Sequence, residues 1–126
     1  MFTYVISPHF FLVQPIEGTM DVTLAISVTM KVCDGTPHAR CIVRVTVAFQ
    51  DELLIINGGR TGDVALNGEV LTMPFSNDEI YVKQVTSLFK LIRGFGFHIL
   101  YDGAQRIYVN LGPFYLNKVN VQYSLR

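Results

Sequence analysis

Two stretches of the chain alternate between apolar and polar residues almost without a break. The apolar positions are Val22, Leu24, Ile26, Val28 and Met30 in the stretch from Asp21 to Lys31, and Cys41, Val43, Val45, Val47 and Phe49 in the stretch from Cys41 to Gln50. A period of two is typical of a β-strand with one buried face. The pattern therefore predicts two strands, each of which turns these residues toward the core.

Two dipeptides between apolar runs predict hairpins. Asparagine and aspartate followed by glycine accept positive φ at low cost, which suits the tight turns between twisted strands. The first dipeptide, Asn67-Gly68, separates the runs Val64–Leu66 and Glu69–Phe75. The second, Asp102-Gly103, separates the runs Phe97–Tyr101 and Arg106–Leu111.

The remaining segments also favour strands. Leu53–Ile56 predicts a short strand, and β-branched and aromatic residues between Ile80 and Lys90 favour strands over a helix. Gly94 and Gly96 bracket Phe95 and predict a bend or a bulge. We therefore predict an all-β fold, an antiparallel β-sandwich, in which residues 1–126 form one domain.

Composition narrows the possible functions. The chain has 126 residues, of which 50% are hydrophobic, and its formal net charge is zero. Because acidic and basic residues are balanced and no basic run occurs, the sequence does not predict a nucleic-acid-binding surface. No apolar stretch reaches the ~20 residues of a membrane-spanning helix. The opening residues lack the basic start and uninterrupted apolar core of a signal peptide. A secreted protein would therefore need its signal outside this chain.

The two cysteines are the sharpest chemical feature of the sequence. Cys33 and Cys41 lie at opposite ends of a segment that has the composition of a loop and joins the two alternating strands. If those strands pair as a hairpin, the cysteines face each other near the first cross-strand pair, within reach of a disulfide. The alternatives are two free thiols, or a metal site formed by the two cysteines and His38. The metal site is weakly indicated, because a zinc site usually has four ligands and the sequence offers three here.

Catalytic and metal-binding groups are weakly indicated. Ser76, His98 and Asp102 are the members of one conceivable triad, but the sequence has no Gly-x-Ser-x-Gly nucleophile turn. The acidic pairs Asp51-Glu52 and Asp78-Glu79 have too few neighbouring oxygens for calcium, so turn formation explains them better. We therefore expect no catalytic residues, no metal ligands and no cofactor.

Several motifs together resemble the von Willebrand factor type D domain, which occurs in gel-forming mucins, otogelins, tectorins, zonadhesin and related subcommissural-organ proteins. The segments that carry the resemblance are Tyr4–Ile6, the cysteine pair of 33–41, Val64–Val70, Met73–Ser76, Ile80–Val82, Gly96–Gly103, Arg106–Val109 and Leu111–Val119. They span nearly the whole chain.

The chain departs from the family pattern at both ends. A cysteine-containing segment usually precedes the position of Tyr4, and a Cys-Gly-Leu-Cys-Gly motif with an acidic calcium loop usually follows that of Val119. Here Asn120-Val121-Gln122-Tyr123 follows Val119. The long-range disulfides and the calcium loop are therefore not carried over, and we expect a partial domain, truncated or altered at both ends.

The resemblance implies a non-catalytic, structural or adhesive module of a larger secreted, extracellular glycoprotein. Its partners would be neighbouring domains of that protein or other copies of it. The β-prone ends Phe2–Ile6 and Val119–Tyr123 carry few charges, so we also expect self-association through open strand edges. The alternatives are a lipid-associated module, as in yolk lipoproteins, and a hydrolase.

The cysteine analysis generates the first testable prediction. Chain that has folded under oxidising conditions should contain one intramolecular disulfide between Cys33 and Cys41. Intact mass after alkylation should therefore show no added groups before reduction and two after it. Two alkylated cysteines in the unreduced folded chain would contradict the pairing.

Overall fold

The computed structural model describes residues 9–16, 24–33, 35–59, 62–86 and 89–121. Within these residues twelve strands form two antiparallel sheets. The strands are β1 (His9–Pro15), β2 (Ala25–Cys33), β3 (Thr36–Phe49), β4 (Glu52–Asn57), β5 (Val64–Leu66), β6 (Glu69–Val70), β7 (Phe75–Ser76), β8 (Tyr81–Gln84), β9 (Lys90–Gly94), β10 (Phe97–Tyr101), β11 (Ile107–Leu111) and β12 (Val119–Val121). A short 3-10 helix, Pro113–Tyr115, lies between β11 and β12.

The two sheets confirm the predicted sandwich. In the described part of the chain, the larger sheet has the strand order β12-β1-β2-β3-β4-β5-β6 and the smaller has the order β11-β10-β9-β8-β7. Every pairing is antiparallel. The strands predicted at Leu53–Ile56 and within Ile80–Lys90 are present as β4, β8 and the start of β9.

The first alternating stretch has its predicted buried face. Ile26 and Val28 of β2 are fully buried, as is Leu24 just before it. The strand runs to Cys33, two residues beyond the predicted end. Residues 21–23 of the prediction, and the apolar segment Phe2–Ile6, lie outside the described residues.

The second alternating stretch contains a β-bulge that the pattern concealed. Thr29 pairs with Arg44 but Met30 pairs with Ile42, so Val43 has no partner on β2. The extra residue changes which side chains of β3 point toward the core in the part of the strand that precedes Val43. Ile42 is consequently buried, at 1% exposed. The prediction that Cys41 and Val43 share the buried face of Val45 was therefore wrong.

The segment between the cysteines is mostly strand, which also corrects the prediction of a loop. β3 begins at Thr36, which pairs with Cys33, while Val32 pairs with Arg40. Residues 37–39 therefore form a second bulge. Cys41 stands opposite Lys31 instead of Cys33, yet the disulfide Cys33–Cys41 closes across the bulge with its Cα atoms 5.1 Å apart.

The two predicted hairpin turns have different outcomes. Asn67 and Gly68 form a two-residue turn between β5 and β6, with φ of 52° and 86°. The turn at Asp102-Gly103 is longer than predicted, because β10 ends at Tyr101 and β11 begins only at Ile107. The Asp102 carboxylate accepts hydrogen bonds from the backbone N–H groups of Ala104, Gln105 and Arg106 at 2.8–2.9 Å, which holds a wider loop.

The predicted bend at Gly94–Gly96 is the turn between β9 and β10. Gly94 pairs with Phe97, and Gly96 has a φ of 76°. A Cβ atom on Gly94 would lie 2.3 Å from the Phe97 ring, so this ring needs glycine beneath it. The Phe97 ring in turn packs against Phe49 of the larger sheet, with centroids 5.7 Å apart.

The core fills the space between the sheets. Its fully buried apolar residues come from both layers, and they are Val13, Leu24, Ile26, Val28, Ile42, Val45, Val47, Leu54, Ile56 and Val64 on the larger sheet side and Val82, Ile92, Phe97, Ile99 and Tyr101 on the smaller.

The core analysis predicts how truncation of a central residue affects stability. Ile99→Ala removes fully buried methyl groups from the smaller sheet and leaves a cavity. It should lower the free energy of unfolding by about 2–5 kcal/mol, measured from the urea midpoint. Leu116→Ala is the control, because this side chain is 72% exposed and its loss should change stability by less than about 0.5 kcal/mol. Equal effects of the two variants would contradict the assigned core.

Candidate functional site

The conceivable catalytic triad is not assembled. Ser76 lies on β7 and His98 on β10, and β8 and β9 lie between them in the sheet. Adjacent strands are about 4.8 Å apart, which separates the two residues by roughly three such steps. The Asp102 carboxylate is engaged by three backbone N–H groups of its own loop. The three side chains therefore have no common reaction site.

The acidic pairs take part in turns, as predicted. The Asn77 side-chain oxygen accepts hydrogen bonds from the N–H groups of Glu79 and Ile80 at 2.7 and 2.8 Å. In the other turn, the Asn67 side chain accepts from the Leu53 N–H at 2.8 Å and donates to the Glu52 carboxylate. Both contacts fix turns between strands.

The cysteine sulfurs are joined in the disulfide, so they do not form a metal site with His38. Across the described ranges of the chain, histidine, cysteine and acidic side chains form no group of three or more with the spacing that a metal requires. The described residues also include no helix with the length and apolar character to cross a membrane.

A polar junction connects the two sheets at one end of the sandwich. It consists of the β3 bulge at Ile42–Val43, the Gly58-Gly59 segment after β4, and residues Tyr101–Ala104 of the smaller sheet. The Ile42 N–H donates to the Ala104 carbonyl at 2.6 Å, and the Tyr101 hydroxyl donates to the Ile42 carbonyl. The bulge therefore presents backbone groups that the opposite sheet satisfies.

Glycines allow the Gly58-Gly59 segment to lie close to both the β3 bulge and the loop after β10. The Gly58 N–H donates to the Val43 carbonyl at 2.9 Å, and the Gly59 N–H donates to the Gly103 carbonyl at 2.7 Å. A Cβ atom on Gly58 would lie 2.8 Å from the Tyr101 hydroxyl oxygen. Gly103 has a φ of 78°, and a Cβ atom there would lie 2.9 Å from the Gly59 carbonyl oxygen. The junction thus requires both residues to lack side chains.

Two ionisable groups are buried at the junction. Lys90 is only 1% exposed, and its ammonium group lies 3.5 Å from the Gly59 carbonyl oxygen. Burial lowers the pKa of Lys90, and the charge of Asp63 partly opposes this shift. Burial, and then the charge of Asp102, raise the pKa of the Tyr101 hydroxyl. Both shifts follow from burial of the charged form. The sequence pattern did not single out either residue.

The opposite end of the sandwich carries a groove between two turns. The groove has a volume of about 390 Å³ and is lined by the β7–β8 turn, with Asp78 and Glu79, and by the β9–β10 turn, with Phe95. Arg93 also lines it and lies over the Tyr81 ring, 5.1 Å from the centroid. The groove therefore combines two exposed carboxylates with aromatic surface. No local sequence motif marks it, because it forms only when the two turns meet.

A firmly held aromatic cluster adjoins the groove. The Phe95 and Phe114 rings are 5.2 Å apart, and Phe114 and Tyr115 are 5.0 Å apart, both edge to face. The Tyr115 hydroxyl donates to the Phe95 carbonyl at 3.1 Å. Phe95 nevertheless remains 64% exposed, and Leu116, which follows Tyr115 in the chain, is 72% exposed. We call Phe95, Phe114 and Leu116 the apolar tip.

Comparison with known proteins gives two matches. The model of the family described as von Willebrand factor type D domain matches residues 1–120. SCO-spondin of Gallus gallus is 27% identical over 105 residues, which cover 82% of this chain and 2% of that protein. The chain thus corresponds to a small fraction of the length of this relative.

The junction generates a prediction for Tyr101→Phe. This change removes only the hydroxyl and leaves the buried Ile42 carbonyl without that donor. The free energy of unfolding should fall by about 1–3 kcal/mol, measured by urea denaturation. Tyr108→Phe is the matched control, because Tyr108 is exposed on β11. A Tyr101→Phe variant as stable as the control would show that the hydroxyl contact contributes little.

The raised pKa of Tyr101 generates a separate pH prediction. A tyrosine in the unfolded chain loses its proton near pH 10, whereas folded Tyr101 retains it to higher pH. The stability that the Tyr101 hydroxyl contributes is therefore fully present below pH about 10 and is lost as the pH rises above that value. The stability difference between wild type and Tyr101→Phe should be constant below that pH and shrink above it. A difference that stays constant to pH 11 would contradict the assignment.

Proposed function

The chain belongs to the von Willebrand factor type D domain family, and from this premise we propose that it is a non-catalytic structural and adhesive module of a larger secreted, extracellular protein. We take residues 1–126 as a single module of this kind. Its partners in this proposal are neighbouring domains of the parent protein or further copies of the module.

The apolar tip is the observation that carries the proposal. Exposed aromatic residues grouped at one place are typical of surfaces that contact another protein. The tip is also held in position, because the Tyr115 hydroxyl and the edge-to-face ring contacts fix Phe95 and Phe114. A surface that is already ordered loses little conformational entropy when it binds.

Strand edges support the same proposal. Among the described strands, β12 and β6 border the larger sheet, and β11 and β7 border the smaller. β11 has the sequence Ile-Tyr-Val-Asn-Leu, without a charge to discourage pairing. The end predicted to be open is Val119–Tyr123. The structure describes its residues Val119–Val121, which pair with β1 on one side and form the border of their sheet.

The geometry around Ser76, His98 and Asp102 does not support the hydrolase alternative, because the three residues lie apart. The lipid-associated alternative stays a prediction. Organic extraction of the purified chain, followed by mass spectrometry, tests it directly.

The proposed function predicts that the apolar tip contributes to association. Light scattering over a concentration series at neutral pH should show self-association of the chain or its binding to the adjacent modules of the parent protein. Phe95→Ser with Leu116→Ser should weaken that association about tenfold or more, since a tenfold change corresponds to only about 1.4 kcal/mol.

The control for the tip variant is Val85→Ser, which removes an exposed apolar side chain from the β8–β9 loop at the other end of the sandwich. It should leave association unchanged. A chain that stays monomeric at high concentration and binds none of the adjacent modules would contradict the proposed function.

A further inference from the structure

In the described part of the chain, β11 forms one border of the smaller sheet. It pairs with β10 on one side, where Leu111 lies opposite Phe97 and Ile107 lies opposite Tyr101. A border strand has a row of backbone N–H and C=O groups along its other side, which we call the free side. Such groups pair readily with a further strand. The free side of β11 is therefore a candidate contact surface.

Two backbone hydrogen bonds show which residues of β11 bond to β10. The Asp102 N–H donates to the Arg106 carbonyl at 3.0 Å, and the Gly112 N–H donates to the Gly96 carbonyl at 2.7 Å. Both pairs continue the register of β10 with β11. In an antiparallel pair of strands, hydrogen-bonded residue pairs alternate with pairs that do not bond to each other. The even-numbered residues from 106 to 112 therefore bond toward β10.

The odd-numbered residues of β11 direct their backbone groups to the free side. They are Ile107, Val109 and Leu111, and their side chains pack against the core. The side chains of Tyr108 and Asn110 are exposed on the solvent face of the sheet. The free side thus offers three N–H groups and three C=O groups from residues that the core holds in place.

β11 lacks the features that usually keep border strands apart. Such strands are commonly very short, or carry a charge, a proline or a bulge. The other border strands of the described sheets have two or three residues, whereas β11 has five. Its sequence Ile-Tyr-Val-Asn-Leu contains neither a charge nor a proline, and its register with β10 is continuous. Of these border strands, β11 is therefore the one best suited to pairing.

We propose that β11 of one module pairs antiparallel with β11 of a second copy about a twofold axis at Val109, so that the two smaller sheets form one continuous sheet. This inference rests on the proposed function and specifies its partner. Val109 lies opposite Val109 of the second copy, and Ile107 lies opposite Leu111. The three free-side residues of each strand then exchange hydrogen bonds with those of the other.

The ends of β11 identify a second copy as the occupant, because the hydrogen-bond donors run out at matching positions. The next free-side position after Leu111 is Pro113, which has no N–H group. In the proposed register Pro113 lies opposite Gln105 of the second copy. The Gln105 N–H already donates to the Asp102 carboxylate at 2.9 Å. The pairing therefore leaves no donor without a partner at either end of the strand.

The distribution of charge also favours a copy of the same strand. Arg106, which immediately precedes β11, lies opposite Gly112 of the second copy in this register, so the two arginines do not face each other. On the solvent face, each Tyr108 lies opposite Asn110. Like charges directly opposite each other would destabilise a strand pair, and none occur here. The net charge of zero leaves no overall repulsion between copies.

The apolar tip lies just beyond one end of this contact. Phe114 follows Leu111 after only Gly112 and Pro113. The tip and the free side of β11 are therefore neighbouring parts of one surface, which is consistent with the weaker association expected of the tip variant. Substitutions within β11 are needed to test the strand pairing separately.

Sedimentation velocity of the oxidised full chain tests whether a closed pair forms. The weight-average mass should rise with concentration from the monomer mass of 14.2 kDa and level off at twice that value, because a twofold contact uses the same surface on both copies. Salt at about 500 mM should not dissociate the pair, since the contact contains no charged partners to be screened. A mass that keeps rising, or a monomer at every concentration, would overturn the proposal.

Amide hydrogen exchange tests which groups form the contact. In the monomer, the amides of Ile107, Val109 and Leu111 should exchange rapidly, and in the pair they should exchange about tenfold more slowly or less. The amides of Tyr108 and Asn110, which bond to β10, are the internal control and should be protected in both states. Protection of the three free-side amides that is equal at every concentration would show that a segment of the same chain covers the edge, and would overturn the proposal.

Two matched variants test the register. Tyr108→Lys with Asn110→Lys places like charges opposite each other on the solvent face and should weaken the pair about tenfold or more at low salt. Tyr108→Lys with Asn110→Glu places opposite charges at the same positions, and its dissociation constant should stay within about threefold of the wild-type value or be lower. Both variants change the same exposed side chains, so their urea midpoints should agree and exclude a difference in folding.

The outcomes separate this inference from the proposed function. If the two variants associate equally, the β11 contact fails, while association through another surface leaves the proposed function standing. The same holds if the wild type stays monomeric but binds the adjacent modules. If the chain neither self-associates nor binds the adjacent modules, both fail.

Discussion

The structure depends on the backbone groups that the β3 bulge leaves without partners on β2. Val43 has no partner on β2, and buried polar groups without partners are costly. The loop after β10 and the Gly58-Gly59 segment supply those partners. A local irregularity in one sheet therefore creates the polar connection to the other. It places Tyr101 and Lys90 in the interior, and it brings the residue 102–106 loop against the base of the disulfide hairpin through Gln105.

Much of the fold could be predicted from the sequence, because strand periodicity and the Asn67-Gly68 turn are local properties. The failures have specific physical causes. Every second residue stays apolar through the bulge at Val43, so the sequence pattern does not show that the buried side of β3 changes there. The Asp102-Gly103 pair indicated a tight turn, but the carboxylate organises a wider loop by binding three N–H groups. The composition of the segment between the cysteines suggested a loop as far as Cys41, whereas β3 begins at Thr36.

The candidate site was predictable only in part. The pairing of Cys33 with Cys41 follows from their positions around one hairpin, although the structure places them diagonally across a bulge. The groove depends on the meeting of two turns that are distant in sequence, so no local motif could mark it. The two ends of the module consequently have different characters. The junction end is connected by hydrogen bonds and carries the disulfide-closed hairpin, whereas the other end presents aromatic side chains beside carboxylates.

Native-state hydrogen exchange tests the role of the junction most directly. The amides of Ile42, Gly58 and Gly59 donate across it, although two of them lie outside any strand. If the junction holds the two sheets together, these amides should exchange only through global unfolding, at the same free energy as the amides of Val45 and Ile99 in the core. Exchange of Gly58 and Gly59 at the rate of exposed loop amides, with the core still protected, would contradict this account.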